Sequence, residues 1–196
     1  ALTNCANVLP KKDVGVIIEY HIPYSLRRID ALFFGKQEKT NTNSAVLIEL
    51  KQWSDAQLPD DDSLNVLVMN REEVHPSQQA LDYKNHLQET QSAIIDCNIQ
   101  IEPCVYCHNL PQNKVTALDD SRFSQFRIEA PLFKKEQNDE FAEFLVNNVG
   151  AGKGIRIKDG FSNGRFKPNK KLLDVLDAVI NKDEKCSMND DFVNDA

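Results

Sequence analysis

The 196-residue chain is 41% hydrophobic and 27% charged, the balance of a globular protein with one sizeable domain and a small extension. No apolar run approaches the roughly 18 residues of a membrane span and no signal peptide is read, while a net charge of −7 excludes a protein that coats nucleic acid through bulk positive charge. Five cysteines scattered from Cys5 to Cys186, an odd number, make no disulfide framework and predict a reducing, cytoplasmic setting.

In chain order, Leu2, Cys5, Val8 and Leu9 recur at helical spacing and read as the last turns of an amphipathic helix. The stretches 14–22 and 27–35 are rich in β-branched and aromatic residues and predict a hairpin. "AVLIELK" at 45–51 follows a polar loop as a third strand, so the three make an antiparallel meander. "LNVLVMN" reads as a short strand after an acidic excursion. Pro76 suits the first turn of a helix to about Ile95, with Ala80, Tyr83, Leu87 and Ile94 on its apolar side. "IEPCVYCHN" and "FRIEAPLF" read as further strands. Asn138 caps a helix that carries Phe141, Phe144, Leu145 and Val149 and ends at Gly150. Pro168 opens a last helix, and the tail after Lys182 is acidic and polar. This order predicts an α/β fold, a mixed sheet with antiparallel hairpin strands flanked by helices.

Charges interrupt the apolar strands at three places. Asp30 breaks "RRIDALFF", Glu19 breaks "VIIEYH", and Glu49 and Lys51 end the third strand. Two residues apart in an extended chain, Glu49 and Lys51 leave the same face. Two readings stand side by side: a structural salt bridge at a strand end, or carboxylates converging with an amine at one sheet edge. Hard divalent cations take one or two carboxylates with water and substrate phosphate, and a nearby lysine can assist the attacking water or offset transition-state charge. A [DE]-x-K tripeptide occurs three times, at Glu49, Asp82 and Asp183, but only the Glu49 copy ends an apolar strand that follows another strand carrying an interior Asp.

"RID" followed by "IELK" resembles the PD-(D/E)XK nuclease superfamily, with Ile29 where the family's proline would stand. Gln79 and Tyr83 in "QALDY" resemble the Q-x-x-x-Y motif of its RecB-like branch, and four residues apart on a helix they share a face. Over most of the chain, "VIIEYHIPYSLRRID", "VLIELKQWS", "VHPSQQALDYKNHL" and "GRFKPNKKLLDVLDAVI" resemble the N-terminal region of a bacterial family in which a nuclease-like domain precedes a P-loop helicase module. No G-x-x-x-x-G-K-[ST] occurs here, so ATP hydrolysis is not read for this chain.

The resemblance implies a restriction-endonuclease-like core over residues 1–182, with 183–196 a tail or linker toward the helicase module. It implies an Mg²⁺- or Mn²⁺-dependent nuclease acting on DNA, RNA being the other candidate substrate. Asp30 and Glu49 would hold the metal with the Leu50 carbonyl as a further ligand. Lys51 would serve the attacking water, and Gln79 and Tyr83 would support the site. Glu19 is a further acidic ligand if its register turns it to Asp30, and is equally placed to pair with Arg27 or Arg28. The competing reading is a module that binds nucleic acid, or regulates a helicase, without cutting.

Between 153 and 171 the local charge reverses. Lys153, Arg156, Lys158, Arg165, Lys167, Lys170 and Lys171 face only Asp159, with Phe161 and Phe166 interleaved. Such a segment can track a phosphate backbone whatever the global charge, or it is a solvated loop leading into a helix. "CVYCH" at 104–108 fits haem attachment by spacing but alternates like a core strand. Trp53 reads as core or as a cover for the site, and His75 and His86 as capping or surface residues.

Overall fold

The computed structural model describes residues 13–167 apart from 24 and 62. The expected helices at the start of the chain and after Pro168, with Lys170, Lys171 and the acidic tail, lie outside the described residues.

The fold is α/β, built on one five-stranded mixed sheet. Strands β1 (Gly15–His21), β2 (Arg28–Lys36) and β3 (Asn43–Lys51) form the antiparallel meander. β6 (Gln100–Cys107) runs parallel to β3, and β7 (Leu132–Lys134) parallel to β6, in the order β1-β2-β3-β6-β7. β3 is central, and Ala45 to Ile48 are fully buried, as a strand covered on both faces requires. One face packs Leu32, Phe34, Leu47 and Val105 against α1 (Pro76–Thr90) and the later helix described below. On the other face Phe33, Val46, Ile48 and Tyr106 meet Phe141, Leu145 and Val149 of a helix at Asn138–Val149.

Several elements differ from the sequence reading, each for a local reason. The short strand β4 (Asn65–Val68) folds back through Met69 and Asn70, both left-handed, onto a fifth strand, β5 (Arg71–Val74), which its run of charges concealed. The helix from Pro76 stops at Thr90, and a short α2 (Ser92–Asp96) follows. Gln91 is extended there because it bridges Phe166, and the Ser92 amide donates to the Arg165 carbonyl at 2.9 Å.

"FRIEAPLF" is not one strand. Asp120 caps a turn that leads into α3 (Ser124–Glu129), and only Leu132–Lys134 is strand. Pro131 disfavours helical backbone at Ala130, which ends the helix. The helix α4 (Asn138–Val149) takes Gln137 as its cap, while Asn138 Oδ1 accepts a hydrogen bond from Tyr106 Oη at 2.7 Å.

The basic stretch after Lys153 is not a loop but the helix α5 (Gly154–Ser162), with Ile157 and Phe161 buried at i, i+4 spacing. It lies so close to the sheet that a Cβ on Gly154 would overlap Phe34 O and Gly15 N. No helix among the described residues is long and apolar enough to cross a membrane.

Candidate functional site

The site is built where β2 and β3 part. Their ladder runs as far as the pair Ala31 and Ile48. One residue further, the Asp30 carboxylate replaces the backbone partner: its Oδ2 accepts from the Leu50 amide at 2.8 Å. Continuing the register sets Asp30 opposite Glu49, on the face that carries Leu32 and Leu47 toward α1. Glu49 is buried, with only 4% of its surface exposed. Its Oε1 lies 2.8 Å from Lys51 Nζ. The ammonium donates a second bond to Gln79 Oε1 at 2.9 Å, and Gln79 Nε2 donates to Tyr83 Oη at 2.9 Å. It also sits 4.9 Å from the centroid of the Trp53 ring, a cation–π contact.

One relay thus runs Glu49–Lys51–Gln79–Tyr83, held by a strand end and by two residues one helical turn apart on α1. Its electrostatics are set by burial. Desolvation pushes the Glu49 carboxyl up to about 7, against the attraction of Lys51, and the neighbouring Asp30 charge adds to the rise. Glu49 Oε2 is buried with no hydrogen-bond partner. An unpaired buried acceptor costs about 1–3 kcal/mol, and more when charged. A cation beside it would satisfy the oxygen and favour the ionised form.

The Asp30 carboxylate and the unpartnered Glu49 oxygen therefore fit a hard divalent ion that keeps several waters. Glu19 does not join them. It lies opposite Asp30 in the β1–β2 register, but its backbone is left-handed (φ 54°) and its side chain pairs with Arg28 at 3.3 Å in solvent. Among the described residues no three His, Cys, Asp or Glu side chains form a metal-holding group.

No protein-family model matches the chain. No curated protein and no solved structure matches it either.

Cys107 lies beside Lys51 in the parallel register of β6, and burial pushes its thiol up to about 12, so it is a neutral packing group. "CVYCH" is accordingly core strand over Cys104–Cys107. His75 caps α1, its Nδ1 accepting from the Ser77 amide at 3.2 Å, and stacks on Phe123 with centroids 4.4 Å apart. Burial lowers its pKa to about 4, so the ring is neutral, structural and not at the surface. A cleft of about 180 Å³ opens beside Gln79 and Tyr83, walled by Arg27, Glu73 and Asp82. Glu73 comes from the hairpin strand β5, whose charges gave no strand signal.

The basic segment is elsewhere. Lys153 precedes Gly154, which packs on Phe34 and Gly15, and Lys153 and Arg156 share a cleft with Lys36 and Asn43. That is the opposite end of β2 and β3 from Asp30 and Glu49. Lys158 pairs with Asp159 at 3.2 Å, and Arg165 and Lys167 lie by α2. His86 packs near the Phe166 ring, centroids 5.9 Å apart, away from the carboxylates.

Proposed function

We propose that this chain is a metal-dependent nuclease domain of the PD-(D/E)XK type with a restriction-endonuclease-like core, hydrolysing DNA phosphodiester bonds. The observation that carries the reading is the convergence of Asp30, Glu49, Lys51, Gln79 and Tyr83 at one strand end, with an orphaned acceptor on Glu49. A structural ion pair alone accounts for Glu49 and Lys51. It leaves unexplained why a second carboxylate and an unsatisfied oxygen share their face.

In this reading Asp30 and Glu49 hold Mg²⁺ or Mn²⁺ with the Leu50 carbonyl. When bound, such an ion lowers the pKa of a coordinated water and offsets charge on the phosphoryl oxygens. The chain's own groups do the rest. Glu49 must be ionised to ligate, which its raised pKa makes pH-dependent. Lys51, fixed by Glu49 and Gln79, presents an ammonium to the attacking water and to the negative charge that develops at phosphorus. Gln79 and Tyr83 position Lys51 rather than reacting. Trp53 bounds the ammonium on another side.

The partners of this reading are DNA and a P-loop helicase module of the same polypeptide. Incubation of labelled single- and double-stranded DNA with the protein in Mg²⁺ or Mn²⁺ tests it, beside Glu49→Gln and a chelator control. Metal-dependent cutting that the substitution abolishes supports the nuclease. Binding without cutting by the unsubstituted protein replaces it with the non-cutting module.

A further inference from the structure

The second concentration of unexplained chemistry lies at the far end of the sheet. Two clefts adjoin there, both lined by Cys97. The first, about 320 Å³, is lined by Lys36, Asn43, Lys153 and Arg156. The second, about 410 Å³, is lined by Arg165 and Lys167, with Asp96 its one carboxylate. Five cations from three separate stretches of chain thus meet at one surface of a protein whose net charge is −7.

They meet with one carboxylate, Asp96, in the lining and no ion pair to it. Among the described residues none of the five forms an ion pair, whereas Arg28, Lys51, Lys114, Arg122, Arg127, Lys134 and Lys158 each do. Among the described residues Lys36 Nζ donates only to the Asn41 carbonyl, at 2.8 Å. The nearby Asp13 carboxylate is turned to the start of α5, where Oδ1 accepts from the Ile155 amide at 3.0 Å. Like charges gathered this way repel one another, and a polyanion relieves the repulsion while its counterions are released.

The groove also changes the membership read from sequence. Lys158 is taken by Asp159, and Lys36, at the end of strand β2 and 117 residues earlier than Lys153, replaces it.

We infer that this groove binds the phosphate backbone of a nucleic acid strand, at a site separate from the carboxylate cluster. The inference rests on the reading that the ligand is nucleic acid, but not on cleavage. Lys36 is six residues from Asp30 along β2, about 20 Å at roughly 3.4 Å per residue. The strand is therefore anchored several nucleotides from any phosphate at Asp30 and Glu49.

The test is fluorescence anisotropy of a labelled 20-nucleotide single strand with the full chain in EDTA, titrated against salt. The variants are Lys36→Gln/Arg156→Gln and, independently, Arg165→Gln/Lys167→Gln, each checked for an unchanged melting temperature. Each double variant is expected to weaken binding by tenfold or more. Each should also flatten the slope of log K against log salt by about 1.4, two contacts at about 0.7 each. Arg122→Gln, a cation that lines neither cleft and is paired with Asp120, should bind like the unsubstituted protein. The oligonucleotide should protect Cys97, at the junction of the clefts, from alkylation in peptide-mapped mass spectra. No measurable binding, or unchanged affinity and slope in both double variants, overturns the inference. So does selective loss of binding to phosphatidylserine vesicles with none to the oligonucleotide. A failure of the nuclease reading appears separately, as oligonucleotide binding without metal-dependent cutting.

Discussion

Replacing Glu49 by glutamine removes one titrating group from a buried position while keeping its shape. The carboxyl rises from 4.5 to about 7 on folding, chiefly by desolvation. Between those values the native state binds more protons than the unfolded chain, so stability falls as pH rises. From pH 5 to pH 8 the loss is roughly 2–3 kcal/mol, taking about 1.4 kcal/mol for each tenfold change in proton affinity. His75 acts with the opposite sign. Its folded value near 4 lies below the ordinary 6.5, so the unfolded chain binds the extra proton and stability rises with pH over that window. The two trends overlap and flatten the unsubstituted protein's own curve. The difference between it and Glu49→Gln isolates the carboxylate. Urea unfolding in EDTA at pH 5, 6, 7 and 8 measures it: the variant should gain on the unsubstituted protein by roughly 2–3 kcal/mol across the series. Parallel curves would show that Glu49 is not held neutral by burial.

Four further outcomes follow from the packing and the relay. Gly154→Ala forces a methyl into the Phe34 carbonyl and the Gly15 amide, and should cost about 1–3 kcal/mol, seen as a lower urea midpoint. Phe161→Ala empties a fully buried site between Tyr20 and Phe34 and should cost about 3–5 kcal/mol by the same assay. His75→Ala removes the cap of α1 and the ring stacked on Phe123, for a loss of about 2 kcal/mol in chemical denaturation. Gln79→Ala frees Lys51 from its α1 anchor: cleavage should fall about tenfold with little change in substrate binding, whereas a purely structural glutamine would lower the melting temperature instead.

The antiparallel meander, the buried β6 and the start of α1 were legible because their signals are local: alternation, a continuous apolar run, and a proline at the first helical turn. So was the pairing of Glu49 with Lys51, since period-two geometry alone puts both on one face. The link from Lys51 to Gln79 needed the helix motif and its resemblance, because nothing local joins residues 28 apart. What failed was set by tertiary partners. α1 ends at Thr90 because residues 165–166 pair with Gln91 and Ser92. The helix α5 was hidden by its charge, although Ile157 and Phe161 stood at helical spacing. Glu19 was placed by a left-handed backbone that no residue pattern announces. Lys36 entered the basic groove only through the fold, from a strand whose sequence says nothing about where its last side chain lies.

The most direct measurement is the rate at which labelled single- and double-stranded DNA is cut in Mg²⁺ and Mn²⁺ by the unsubstituted protein and by Lys51→Ala. The account predicts cutting that EDTA abolishes and that falls at least a hundredfold in the variant, about 2.7 kcal/mol of lost transition-state stabilisation, while DNA binding persists. Cutting that survives Lys51→Ala, or no cutting in either metal, would contradict the assignment of this strand end as a phosphodiesterase site.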